Sequence, residues 1–232
     1  MRQNLSILIR KKMAYFILRH SLIPLLKIRI NKVEGMENLP PAGPYIIAGN
    51  HESSFDPIFI GSVLIKKTKK KIHAFTMVSV YSFLGPILGK LWFGMIPAGR
   101  YNHQDEATKI LNAHSFYKAI HYLKKSKIVA IFPEGKRNTS KVLLKGKTGV
   151  ARLALEGKAP VVPIGYIGPA TWSVWQGIKN LFNWHKKIII KIGRPLTFEE
   201  FFNKEMTKEI LEEVTRRVMI EIGKLCGKNY PY

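Results

Sequence analysis

The feature that most narrows the fold of this chain is an alternation: short strand-like runs are separated by longer stretches with helical periodicity. Such alternation is the pattern of a substantially parallel sheet whose crossovers are helices. Strands are predicted over Lys27–Val33, Tyr45–Gly49, His73–Val78, Ile128–Phe132, Val161–Ile167 and Lys187–Ile192. The clearest helix runs from about Asp105 to Lys124, with Ala107, Ile110, Leu111, Tyr117, Ile120 and Leu123 near helical spacing. Acidic residues open it and Lys124 and Lys125 close it, as the helix dipole favours. A final helix from about Lys204 to Cys226 places Ile210, Leu211, Val214, Val218 and Ile222 on one stripe. The expected architecture is a single α/β domain with a mostly parallel central sheet flanked by helices. Pro40 and Pro41 form a turn within it rather than a domain boundary.

A length of 232 residues with 46% hydrophobic content suits one domain with a sizeable core. The domain is expected over residues 29–232, preceded by a distinct segment over 1–28. That segment is rich in Leu and Ile but broken by Arg10, Lys11, Lys12, Arg19, His20, Pro24 and Lys27. Its uncharged runs fall short of the roughly 20 residues that span a bilayer. It lacks the long apolar run and small-residue cleavage site of a signal peptide. One or two amphipathic helices lying in a membrane interface fit this mixture, and a helix packed on the protein's own core is the alternative. The single cysteine, Cys226, excludes an intramolecular disulfide and is expected to be structural.

Charge points to the partner. With 38 Lys and Arg against 15 Asp and Glu, the net charge is +23, which favours an anionic surface or substrate. Nucleic acid, anionic lipid, a phosphorylated substrate and an acidic carrier protein all satisfy that condition. The Lys run at 66, 67, 69, 70 and 71 suits a carrier or a lipid, and equally a solvated face.

Residues bearing chemistry cluster where strands end. Tyr45–Gly49 runs directly into Asn50-His51-Glu52-Ser53-Ser54-Phe55-Asp56, ahead of a helix opening at Pro57. His51 therefore sits at a strand's carboxyl end, the edge at which open α/β sheets form ligand crevices. A carboxylate five residues on can hold the Nδ1 proton and leave Nε2 as a base. Asp56 also suits a plain helix N-cap ahead of Pro57. Phe55 excludes an HExxH zinc site, and no G-x-S-x-G elbow is present, so the nucleophile is expected to be the substrate's own hydroxyl.

A second cluster, Phe132-Pro133-Glu134-Gly135-Lys136-Arg137-Asn138, follows the strand from Ile128. Arg137 offers a planar fork suited to phosphate, against the alternative of a solvated basic loop. Lys145 and Lys147 precede a helix opening near Val150, whose N-terminus favours anions. Lys141 stands where a P-loop requires Gly. No metal-ligand spacing appears among the His and Cys residues, so neither metal nor organic cofactor is expected.

Together these residues resemble the glycerolipid acyltransferases typified by 1-acyl-sn-glycerol-3-phosphate acyltransferase. The family's marks are N-H-x4-D, G-x-I-x-x-x-R, F-P-E-G-T-R-S and V-P-[IV]-G. The chain carries Asn50 to Asp56, Gly94 to Arg100, Phe132 to Asn138 and Val162-Pro163-Ile164-Gly165, in that order. The resemblance implies that His51 is the general base and Asp56 orients it. It further implies that Arg100 and Arg137 grip the acceptor phosphate, that Glu134 and Gly135 shape the catalytic loop, and that Pro163 helps form the acyl side. Asn50 falls in the first block and is counted with the substrate-binding set. Lys136 stands where the family usually has Thr, and Ser79 stands in a segment where many members carry Lys. Lys136 and Lys147 are the candidates to supply that charge.

The reaction so implied is transfer of an acyl group from acyl-CoA or acyl-carrier protein to the sn-2 hydroxyl of 1-acylglycerol 3-phosphate (lysophosphatidate), giving phosphatidate. It would take place at an anionic membrane surface, with the protein peripheral on the cytoplasmic face of the cell membrane. A neutral His51 is required, so activity is expected to fall in mild acid. Other acceptors, such as glycerol 3-phosphate or another lysolipid, are the alternative within enzymes. A non-catalytic basic protein binding membranes or nucleic acid is the alternative outside them. No nucleic-acid-binding module is evident in the sequence, so nucleic acid is not expected as a partner.

Overall fold

The computed structural model describes residues 28–84, 94–99, 105–171, 173–181, 183 and 185–232. The expected interfacial helices before residue 28 and the site residue Arg100 lie outside the described residues. In chain order the elements are β1 (Lys32–Glu34), β2 (Tyr45–Gly49), α1 (Asp56–Thr68), β3 (Ile72–Met77), α2 (Val78–Leu84), β4 (Ile96–Ala98) and α3 (Glu106–Lys124). There follow β5 (Ile128–Ile131), α4 (Gly149–Glu156), β6 (Val161–Ile167), α5 (Val174–Leu181), β7 (Ile189–Ile192) and α6 (Lys208–Cys226).

The strands form one sheet in the order β1-β7-β6-β2-β5-β3-β4. Strands β6, β2, β5, β3 and β4 run parallel, whereas β7 pairs antiparallel to β6 and carries β1 alongside it. The mostly parallel α/β domain expected from the sequence is therefore observed. All five positions of β2 are buried, because helices cover both faces. Strand alternation sends Ile46 and Ala48 to a core shared with α3, α4 and α6. It sends Tyr45 and Ile47 to a core shared with α1.

The long helices α3 and α6 are cut where the sequence supplies a cap. The Asp105 side chain accepts from the Thr108 N–H at 2.8 Å and starts α3, and Thr207 caps α6 in the same way. Gly227, left-handed at φ 72°, ends α6. Cys226 is buried, which pushes its thiol up to about 11 and suits a structural role.

Three expectations need correction. The first strand begins at Lys32 rather than Lys27, because Arg29 is buried and turned aside. Its Nη2 donates to the carbonyls of Asn180 (3.2 Å), in the last turn of α5, and of Asn183 (2.9 Å) and Lys186 (3.0 Å) beyond it. Ile110 and Tyr117 are 62% and 72% exposed, so they do not belong to the buried stripe of α3. That stripe is Ser115, Ala119 and Leu123. A further strand, β4, lies inside the second sequence block and pairs with β3. Among the described residues no helix is long and apolar enough to cross a membrane.

Candidate active site

The order of the sheet brings three loops together at its carboxyl edge: those after β2, β5 and β6. His51 lies in the first. Its Nδ1 is 2.9 Å from Asp56 Oδ1 and 3.1 Å from Oδ2. Asp56 is fully buried, and its Oδ2 also accepts the Glu52 and Ser53 N–H groups at 2.7 and 2.9 Å. A carboxylate accepting at Nδ1 requires that nitrogen to carry its proton, which in the neutral ring leaves the Nε2 lone pair free to accept one. The N-cap alternative is excluded by the geometry. Asp56 is the first helical residue, Phe55 occupies the cap position, and the Asp56 carboxylate folds back onto the loop.

The His51 ring is otherwise held by packing. It stacks on Phe132, the residue after β5, with centroids 4.6 Å apart, and the side chain remains 21% exposed. Its backbone is fixed from the second loop, since the Glu134 Oε1 accepts the His51 N–H at 3.3 Å and the His51 carbonyl accepts from Asn138 at 2.7 Å. Glu134 is 2% exposed. Its Oε2 accepts from Asn138 Nδ2 (2.6 Å) and the Leu144 N–H (3.0 Å). Glu134 thus ties the His51 loop to the loop that bears Arg137.

Arg137 reaches from the second loop to the other two. Its Nη1 donates to Ser54 Oγ at 2.6 Å and to the Thr171 carbonyl at 3.3 Å, bridging all three loops. Gly135 adopts φ 70°, a left-handed turn that favours glycine. Its N–H donates to the Phe132 carbonyl at 3.0 Å, so this amide does not face substrate as an oxyanion donor. Lys136 is exposed and Lys147 half-buried. Partial burial, reinforced by the nearby Lys136 charge, holds the Lys147 ammonium below its usual range. Such a crowded pair of cations is eased by an anion.

Two residues assigned to substrate contact occupy other places. Asn50 is 1% exposed. Its Oδ1 accepts the Tyr166 N–H at 2.7 Å, while Nδ2 donates to the Tyr166 carbonyl at 2.9 Å and Glu52 Oε1 at 2.8 Å. Asn50 therefore braces β2 against β6. Pro163 is buried in the middle of β6 opposite Ala48. It carries the Gly193 N–H on its carbonyl at 2.9 Å and supports the sheet beneath the site.

Several site residues were not anticipated. Thr171 accepts the Ser54 N–H at 3.2 Å and lies 3.0 Å from Ser53 Oγ. Its own N–H donates to the Glu52 carbonyl at 3.0 Å. Asn138, the last residue of the second cluster, links both loops. The positions of Asn138 in the Phe132–Asn138 block and of Ser54 in the Asn50–Asp56 block were usable signals; Thr171 carries none, because only sheet order brings it to them.

A mostly parallel α/β sheet with a half-exposed His paired to a buried Asp at its carboxyl edge, and an Arg–Lys loop beside it, is an arrangement in which an imidazole can accept a proton next to a bound anion. The comparisons with known proteins give the family. Residues 30–167 match the Acyltransferase family model. A 1-acyl-sn-glycerol-3-phosphate acyltransferase of Bacillus subtilis (strain 168) is 31% identical over 199 residues, covering 85% of this chain and 88% of that protein. The chain belongs to the acyltransferase family. The crystal structure of the 1-acyl-sn-glycerophosphate (LPA) acyltransferase PlsC from Thermotoga maritima shares the fold, with a TM-score of 0.56 at 19% identity. The match covers 96% of this chain and 90% of that one.

Proposed function

We propose that this acyltransferase moves an acyl group from the thioester of acyl-CoA or acyl-carrier protein to the sn-2 hydroxyl of 1-acylglycerol 3-phosphate, making phosphatidate. The observation that carries the reading is the His51–Asp56 pair, with its 2.9 Å bond, beside the Arg137 loop. In the proposed step the acceptor hydroxyl attacks the thioester carbonyl as its proton passes to His51 Nε2. The tetrahedral oxyanion then collapses, the carbon–sulfur bond breaks, and the departing sulfur takes the proton back from the imidazolium. Arg137, Lys136 and Lys147, with Arg100 from the second block, hold the acceptor phosphate. No cofactor beyond the two substrates is required by this chemistry.

The acceptor is a lipid, so the site is proposed to work at an anionic membrane surface, on the cytoplasmic face of the cell membrane. Charge supports this: the net charge is +23. So does α5, which starts three residues after Thr171. Trp175 is 76% exposed on it, and Lys179, His185, Lys186 and Lys187 are exposed nearby. Three of the four Trp residues, at 172, 175 and 184, fall in this stretch. A ring amid cations suits the headgroup level of a bilayer. The deciding assay for acceptor and donor offers acyl-CoA and acyl-carrier protein in turn with lysophosphatidate, glycerol 3-phosphate and lysophosphatidylcholine. Phosphatidate from lysophosphatidate is the expected product; preferential acylation of either other acceptor overturns the assignment.

A further inference from the structure

The turn after α6 reaches back into the site. Because Gly227 is left-handed, the chain reverses there, and the Lys228 N–H donates to the Gly223 carbonyl at 2.9 Å. Lys228 Nζ then lies 2.8 Å from Glu52 Oε1 and 2.7 Å from the Ser140 carbonyl, with the two side chains only 14% and 10% exposed. The next residues hold the same loop. The Asn229 carbonyl accepts from Leu143 at 2.9 Å, and the Tyr230 hydroxyl accepts from Gly146 at 3.2 Å. One short stretch of chain thus clasps both the His51 loop and the segment that follows Arg137.

Glu52 is the junction through which this clasp acts. Its N–H donates to Asp56 Oδ2 at 2.7 Å, its carbonyl accepts from Thr171 at 3.0 Å, and its carboxylate accepts from Asn50 at 2.8 Å. A carboxylate this buried holds its place only when it is paired. Burial raises the Glu52 carboxyl above its usual range, with Lys228 the largest opposing influence. If the carboxylate shifts, the N–H that aims Asp56 shifts with it.

We propose that Lys228 is a positioning residue for acyl transfer: by holding Glu52 it fixes the peptide N–H that orients Asp56, and so the ring of His51. The inference rests on His51 being the base. It accounts for a buried cation in the last turn of the chain that touches neither His51 nor Asp56, yet meets both loops of the site.

The test compares kcat and acceptor KM for the full-length wild type, Lys228→Met, Lys228→Arg and Lys224→Met, with folding followed by circular dichroism and Tm. Lys224 is a control, since it pairs with Glu221 on the exposed side of α6, one turn before Lys228. Folded Lys228→Met is expected to lose about 10- to 100-fold in kcat with acceptor KM within about twofold of wild type. Lys228→Arg should recover most of the loss, and Lys224→Met should match wild type. A merely structural role lowers Tm and leaves the kcat of the folded fraction unchanged, and that result overturns the proposal. A loss confined to KM overturns it as well. Should Lys228→Met not fold, Glu52→Gln carries the same test, with wild-type kcat as the refuting result. A wild type inactive with every donor and acceptor refutes the underlying reading; an active wild type with an unaffected Lys228→Met refutes this inference alone.

Discussion

Replacing Asp56 by asparagine changes one atom of the site and reverses what His51 can do. In the native site Oδ2 receives the Glu52 and Ser53 N–H groups at 2.7 and 2.9 Å, whereas Oδ1 faces only His51 Nδ1 at 2.9 Å. An asparagine must keep its oxygen where the two backbone N–H groups point, since a buried donor facing a donor costs about 1–3 kcal/mol. Its Nδ2 then occupies the Oδ1 position and donates to Nδ1. The imidazole is driven to the tautomer protonated on Nε2, which has no lone pair for the acceptor hydroxyl. A tautomer fixed the wrong way costs an imidazole base about 10⁴-fold in kcat, as in the serine-protease example of the same exchange. Steady-state acyl transfer to lysophosphatidate is therefore expected to fall about 10³- to 10⁴-fold in Asp56→Asn, with acceptor KM little changed and Tm near wild type. Retention of a tenth or more of wild-type kcat by the folded variant refutes the assigned role of Asp56.

Arg137→Ala should raise the acceptor KM more than it lowers kcat, and Arg137→Lys should restore little, because a planar fork is lost. Ser54→Ala, which removes only the 2.6 Å internal partner of Arg137, should leave KM near wild type; equal effects would assign Arg137 to loop support alone. Burial, with Lys71, Lys127 and Lys118 adding repulsion, pushes His73 down to about 4, and its ring stacks on Tyr122 at 3.7 Å. The folded protein keeps His73 neutral while the unfolded chain binds a proton below about 6.5. Stability is therefore present above that pH and lost as it falls toward 4, by on the order of 3 kcal/mol. Urea unfolding across that window should show the slope, and His73→Leu should flatten it. Trp175→Ala should reduce sedimentation with anionic phosphatidylglycerol vesicles while leaving transfer to detergent-dispersed lysophosphatidate intact; undiminished vesicle binding would remove α5 from the interface.

Local patterns were legible in the sequence, and distant ones were not. β2 and β6 start and end where predicted, because each is an apolar run buried on both faces. The His51–Asp56 pair was also legible, since five residues of one turn bring it together. The buried face of α3 was legible only in part, for a physical reason. Polar Ser115 bonds the Pro97 carbonyl and Asn112 accepts the Gly99 N–H at 2.9 Å, so polar groups face the short strand β4. Apolar periodicity finds Ile120 and Leu123 on such a helix but adds the exposed Ile110 and Tyr117 and passes over Ser115. Asn50 and Pro163 sat in blocks that suggested substrate contact, but their burial depends on the pairing of β2 with β6. The meetings of Arg137 with Thr171 and of Lys228 with Glu52 follow from sheet order and helix termination, which no local window contains.

The central claim is that His51 is the base for acyl transfer to a lysophospholipid phosphate. Formation of radiolabelled phosphatidate from lysophosphatidate and a labelled acyl thioester, in mixed micelles with wild type and His51→Ala, tests it most directly. Phosphatidate from the wild type and a loss of at least about 10³-fold in the folded His51→Ala variant is the predicted result. Full activity in His51→Ala contradicts the account.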